Sequence, residues 1–298
     1  MKPLIFLLCL FGMTAKAGPV LQPRPLSAEA YGEAYTAVAS LEDGSFVLLQ
    51  LMFSNAGIGS RKAACRALWV PPGRAGINAS KRMDADEWSY EAASNQLKAG
   101  PCSLGSHQEG LRFAAELPEV KVVLDLSAKP KPVRPPGHRI EAGQAFYEAE
   151  LLIPAAPTTA TISAGGQTVN TAGPVHLDHS RSSILMPNAA ACWMRFRGFS
   201  GSPPTLIQAR VPPGGGQPDG WAWPLSAPAP TQAHQFKLGK SGGGMPTLSL
   251  TSDRGPIEVT ATRELYRYRP PRPMAPLAVW HHPGSVIRRP PLTRLSRP

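Results

Sequence analysis

The chain has 298 residues and a formal net charge of +11, a length that fits one large domain or two small ones. The charge is uneven: residues 267–298 hold seven arginines and no acid, residues 1–17 hold Lys2 and Lys16 and no acid, and the remaining 22 of the 31 basic residues face all 20 acids. A near-neutral body argues against a nucleic-acid partner, 17% charged residues argue against wholesale disorder, and 34 prolines with 28 glycines exclude long helices.

The N-terminus reads as an export signal over residues 1–17. Lys2 precedes an apolar run from Leu4 to Met13, and Ala15-Lys16-Ala17 offers a cleavage site. A secreted or periplasmic product follows. In an oxidising compartment the three cysteines of the mature chain permit one bridge. Cys65 with Cys102 is the preferred pair, because Cys102 follows a Gly-Pro turn that could approach a strand. Three free cysteines is the alternative. Cys192, between small and aromatic residues in an expected strand, reads as a buried thiol.

The body reads as β. Residues 31–40 and 45–54 are strand-like runs joined by the turn Leu41-Glu42-Asp43-Gly44. The second run is apolar on both faces apart from Gln50, so both faces are expected to be covered. Residues 66–70 continue the sheet, and 74–94 read as polar and irregular. Residues 111–116 and 120–126 form the next pair, followed by a proline-rich stop at 130–137. Residues 145–153 alternate and end at Pro154. The pattern then restarts with a hairpin around Gly165-Gly166 and further runs at 175–181, 190–199, 206–211, 220–224, 234–238, 246–251 and 257–267. Turn signals about every ten residues predict an all-β sandwich or barrel architecture.

Several short motifs resemble one family. They are Tyr31-Gly32-Glu33, Leu41 to Phe46 and Ser54-Asn55-Ala56-Gly57 near the start, then Leu124-Asp125-Leu126 with the prolines that follow. Gly173, Asp178-His179-Ser180, Pro187 and Trp193-x-Arg195-Phe196-Arg197 complete the set. Together they resemble the tandem lipocalin-like family that includes hydroxyneurosporene synthase (a carotenoid 1,2-hydratase), fungal Diels-Alderases and yeast survival-factor proteins. The resemblance covers roughly residues 28–266. It implies two packed lipocalin-like antiparallel β-barrels with an apolar ligand between or inside them. The expected organisation is a signal peptide at 1–17, barrel 1 at 18–156, barrel 2 at 157–267 and a basic proline-rich tail at 268–298.

The candidate residues follow from strand alternation. Trp193, Arg195 and Arg197 share one face, with the arginines about 7 Å apart. Paired guanidinium groups could hold a carboxylate or phosphate while the indole packs on a chain or ring. They could equally pair with acids between the barrels. Asp178-His179-Ser180 has the letters of a hydrolase triad, but alternation sends His179 away from its neighbours. Asp178 or His179 could still protonate an alkene or polarise a carbonyl in an apolar cavity, or simply brace the sheet. The resembling hydratases imply an acid near this segment, although here serine and arginine follow the Asp-His pair. Glu33 lies between Tyr31 and Tyr35 on one face. It is either an acid of raised pKa or, preferably, a partner of Arg195 or Arg197 across the ligand space. Catalytic candidates are therefore Asp178, His179 and Glu33, and ligand-binding candidates are Trp193, Arg195, Arg197, Tyr35 and Gln50.

No metal site is expected, since the histidines show no His-x-His or His-x-x-x-His spacing. No cofactor is expected either, because the glycine-rich loops lack a P-loop Lys-Ser/Thr. Two functions fit. One is an exported carrier of a lipid or other hydrophobic small molecule. The other is an enzyme acting on a terpenoid or polyketide by protonation, hydration or cyclisation. The carrier is preferred, because it needs only an apolar cavity with a few polar anchors. The basic tail is expected either to be simply solvated or to touch an anionic membrane surface.

Overall fold

The computed structural model describes residues 19–55, 60–199, 204–261, 266–268, 279–281 and 284–288. The expected export signal lies outside these residues, as do Ala56-Gly57 and most of the tail. A first sheet contains β1 (Gly32–Ser40), β2 (Phe46–Ser54), β3 (Lys62–Val70), β4 (Ile77–Met83), β5 (Trp88–Glu91), β6 (Gln96–Ala99), β7 (Cys102–His107), β8 (Gly110–Glu116), β9 (Lys121–Leu126), β10 (Arg139–Ala142), β11 (Ala145–Ala164) and β12 (Gln167–Ser182). Their order is β4-β3-β2-β1-β12-β11-β9-β8-β7-β6-β5, with β10 beside β11, and every pair is antiparallel.

This sheet curls into a nearly closed barrel whose free edges are β4 and β5. Its inward residues form one continuous core that includes Tyr35, Leu49, Phe53, Leu104, Phe113 and Leu124. The interior is filled by its own side chains. Cys65 on β3 and Cys102 on β7, both buried in that core, are joined by a disulfide with a Cα–Cα distance of 6.1 Å. The bridge ties the two ends of the open sheet together.

Residues 74–94, expected to be irregular, instead hold β4 and β5. On β4 only Ala79 and Met83 are buried. An edge strand exposed along most of its length carries polar residues and so hides its periodicity.

A larger difference concerns Pro154. Proline was expected to stop the strand, but β11 runs through it to Ala164. The ladder to β12 shifts register between Leu151 and Ile153 and again between Ile153 and Ala156. These irregularities let a proline without an N–H sit inside a paired strand, which bends there instead of ending. The boundary expected at 156/157 thus falls within β11. The hairpin around Gly165-Gly166 is present, with both glycines at positive φ, but it belongs to the first barrel.

After α1 (Met186–Ala189) the chain enters a second sheet. This comprises β13 (Cys192–Gly198), β14 (Thr205–Val211), β15 (Asp219–Pro224), β16 (Thr231–Lys240), β17 (Pro246–Ser252) and β18 (Gly255–Ala261). Beyond them a small ribbon pairs β19 (Tyr266–Tyr268) with β20 (Val279–His281), and β21 (Gly284–Arg288) adds to β18. The second sheet is a half-barrel rather than the closed barrel expected, and three runs expected for it, the two arms of the Gly165-Gly166 hairpin and 175–181, are built into β11 and β12 of the first. Cys192 is exposed on β13, not buried. Among the described residues, no helix is long and apolar enough to cross a membrane.

The two sheets share a wall. Val175 and Leu177 of β12 point into the barrel core. The opposite face packs Leu151 of β11 against Leu206, Trp221 and Trp223 of the half-barrel. A strand pair covered on both sides is apolar on both sides.

Candidate functional site

Alternation along β12 sends consecutive polar residues to opposite sides of the shared wall, and two buried polar clusters result. On the barrel side, Tyr35, His179 and Glu150 are cross-strand neighbours on β1, β12 and β11. The His179 ring meets Glu33 Oε1 through Nε2 at 2.8 Å and Glu150 Oε1 through Nδ1 at 3.3 Å. Both partners are acceptors, so the ring carries both protons. Tyr31 donates its hydroxyl to Glu33 Oε2 at 2.7 Å, and the Arg24 backbone N–H donates to the same oxygen at 2.9 Å. Arg134 Nε reaches Glu150 Oε2 at 3.4 Å. The Tyr35 ring stacks on His179, with centroids 4.4 Å apart at 17°.

Burial opposes charge on His179 and Glu33, but their mutual contact outweighs it. His179 is held above the usual histidine range by Glu150 and Glu33. Glu33 is held below the usual carboxylate range by His179, Tyr31 and the Arg24 amide. The bond from His179 likewise lowers Glu150. The arrangement is an imidazolium locked between two carboxylates.

On the half-barrel side, Asp178 is 5% exposed. Its Oδ2 accepts from Arg197 Nη2 at 2.8 Å and from Arg195 Nη1 at 3.5 Å, and lies 3.3 Å from His176 Nε2. His176 Nδ1 lies 3.0 Å from the Pro154 carbonyl, to which it donates. Arg195 Nη2 donates to the Tyr147 hydroxyl at 2.7 Å, and Trp193 tilts against the Tyr147 ring at 5.0 Å. Burial would raise the Asp178 pKa, yet Arg195, His176 and Arg197 hold it far below the usual carboxylate range. Burial depresses His176, with Arg197 adding to the effect, and burial likewise lowers Arg197. Asp178 Oδ1 and Trp193 Nε1 are buried without a hydrogen-bond partner.

Beside this second cluster lies a crevice between the sheets. Asp178, His176, Arg195 and Arg197 line one part, and Leu151, Leu206, Ile207 and Trp221 line another. The crevice is partly open and its volume is about 20 Å³, room for about one water molecule.

The three catalytic candidates are therefore split. Glu33 and His179 meet inside the barrel, and Asp178 faces the half-barrel. The expected pairing of Glu33 with Arg195 or Arg197 does not occur, because Glu33 turns into the barrel while both arginines reach the outer face of β12. Trp193, Arg195 and Arg197 do share a face, and Met194 and Phe196 pack on the half-barrel core. Tyr35 belongs to the His179 cluster. Gln50 lies on the Asp178 side, where its Nε2 donates to Thr36 Oγ1 at 3.1 Å. Thr36 is the cross-strand neighbour of Asp178. Sequence reasoning missed His176, Tyr147 and Glu150. Alternation from Asp178 could have found His176, whereas the other two depend on the register of β11. Among the described residues, no group of three or more His, Cys, Asp or Glu side chains is arranged to hold a metal ion.

The sequence matches no protein-family model and no curated protein. Solved structures do share its fold. A protein provisionally designated AttH from Nitrosomonas europaea superposes with a TM-score of 0.55 at 11% identity, covering 86% of this chain and 90% of its own. Kievitone hydratase from Nectria haematococca gives 0.53 at 11% identity over 83% and 82%. CghA with Sch210972 gives 0.52 at 11% identity over 87% and 86%. These neighbours agree with the resemblance carried by the motifs, and the chain has the lipocalin-like fold, one nearly closed barrel and one half-barrel, that they share.

Proposed function

We propose that the protein is a carrier that binds a hydrophobic small molecule in the crevice between barrel and half-barrel. The barrel core is packed with apolar side chains, and the crevice lies outside it. The observation that carries the reading is the two-sided crevice itself, with polar anchors at buried Asp178 and half-buried Arg195 and Arg197 and apolar walls at Leu151, Leu206, Ile207 and Trp221. At about 20 Å³ the crevice is smaller than such a ligand, so the proposed carrier must widen it when a ligand enters. Neighbours of this fold include a hydratase, and fold alone does not decide between enzyme and binder. The residues of this chain favour binding. At this crevice protonation chemistry lacks an acid with a proton to give, because the arginines keep Asp178 ionised; His179 lines a separate, polar crevice of about 20 Å³ with Arg24, Arg134, His138 and Glu150.

Native mass spectrometry with solvent extraction tests the reading. A carrier yields a stoichiometric, unmodified apolar molecule. Extraction of nothing, together with turnover of an added polyene, would favour the enzyme instead. The same reading includes export and contact of residues 268–298 with an anionic membrane. Since β21 lies in that stretch, charge should be removed rather than chain. Replacing Arg269, Arg272, Arg294 and Arg297 by Gln should weaken binding to phosphatidylserine vesicles, each charge contributing about 1 kcal/mol. Undiminished vesicle binding would rule out that role.

A further inference from the structure

We infer that the molecule held in the crevice is an amphipathic carboxylate whose charged head seats on Arg195 and Arg197. This rests on the carrier reading above and goes beyond it in fixing the chemical class of the ligand.

Charge balance is the first argument. The cluster contains two guanidinium groups and one carboxylate. Tyr147 is a phenol, so among the described residues two guanidinium groups against one carboxylate leave at least one positive charge without a counter-charge. The side chains are largely withdrawn from water, at 26% exposure for Arg195, 14% for Arg197 and 5% for Asp178. An uncompensated charge in such surroundings is costly, and an anion arriving with the ligand would relieve it.

Hydrogen-bond accounting is the second. Arg195, Arg197 and His176 all converge on Asp178 Oδ2. Each guanidinium carries five N–H donors, more than that oxygen and the Tyr147 hydroxyl can accept. The spare donors suit a planar carboxylate, which guanidinium groups bind in two-point fashion. Asp178 Oδ1 meanwhile lacks a donor, and Trp193 Nε1 lacks an acceptor. Buried polar atoms left in this state are uncommon. A ligand with a hydroxyl or N–H close to its acidic group would supply a donor to Oδ1, and its other oxygens an acceptor to the indole.

The third argument is the apolar wall of Leu151, Leu206, Ile207 and Trp221, which gives an alkyl or polycyclic body a place beside the charged head.

The test uses the full chain, delipidated, titrated by calorimetry with decanoate, laurate and palmitate and with the matching fatty alcohols. Each acid should bind about tenfold or more tightly than its alcohol, the margin expected of a charge-assisted contact. Arg195→Gln and Arg197→Gln should each reduce that preference. The comparison of acid with alcohol on the unaltered protein stands even if a variant fails to fold. Equal binding of acid and alcohol would overturn the anion assignment and leave the carrier reading intact. Tighter binding of dodecyl phosphate than of laurate would overturn the carboxylate class. An acid preference unchanged in both folded variants would place the anion elsewhere and overturn the assignment to this pair. Binding of no probe at all would sink the carrier reading along with it.

Discussion

At the scale of single residues, β12 carries two kinds of buried charge on its two faces. The His179 cluster makes a signed prediction about pH. The His179 pKa is raised, so its contribution is complete below the ordinary value of 6.5 and is lost as pH rises through the raised one. Glu33 and Glu150 are lowered, so theirs is complete above 4.5 and is lost as pH falls through the lowered values. The contribution of this cluster should therefore be greatest between about pH 4.5 and about pH 6.5 and decline on the alkaline side, while the depressed His176 opposes it below pH 6.5. His179→Gln should abolish the alkaline decline and destabilise the protein by about 3–5 kcal/mol, because it leaves buried Glu33 without its cation. Calorimetric melting across pH, with and without the substitution, checks both. The alternation of Asp178 and His179, and the common face of Trp193, Arg195 and Arg197, were legible because a strand has period two. Which residue meets which across the sheets was not. Glu33 was assigned the arginines and in fact holds His179, since a single sequence carries no register between distant strands.

At the scale of elements, the features that shape the barrel are local exceptions to strand rules. Gly173 of β12 is one. A Cβ there would collide with the Ser40 carbonyl and the Leu41 backbone at the end of β1. Gly173→Ala should cost roughly 1–3 kcal/mol in urea unfolding, as overpacking does. The disulfide is another. It spans 37 residues, and loop-closure entropy for that span corresponds to about 4 kcal/mol. Replacing Cys65 and Cys102 by Ala should lower the urea midpoint accordingly, and a change well under 1 kcal/mol would show that barrel closure does not depend on the bridge. Strong strands such as β1, β2, β8 and β9 were legible because one face is buried and the hydrophobic period survives. The edge strands β4 and β5 were not, and neither was the passage of β11 through Pro154. Proline ordinarily ends a strand, and only the bulged ladder to β12 makes it a bend.

At the scale of the whole molecule, barrel and half-barrel are joined by packing through a common wall. Trp221 is 4% exposed, packs with Leu151 and Leu206 and also lines the crevice. Trp221→Ala should destabilise by roughly 3–5 kcal/mol and enlarge the crevice. Ligand affinity and the unfolding midpoint, measured on the same variant, should both change. A midpoint shift below 1 kcal/mol would mean that the two sheets are only loosely joined. The fold class was legible because strand spacing and motif pointed the same way, whereas the allocation of strands between the halves was not. Allocation is decided by the pairing of β1 with β12, a contact that leaves no local trace.

That pairing also sets an order of events during synthesis. Gly32 lies opposite Ser182, roughly 150 residues away, so β1 leaves the ribosome long before its neighbour exists. Until β12 arrives, one edge of β1 is an open row of backbone donors and acceptors, available to wrong partners. Contacts this distant in sequence slow folding and prolong the exposure of such edges. Cys65 and Cys102 are both synthesised well before β12, so a bridge formed early could hold the incomplete barrel in shape while its last wall is still being translated.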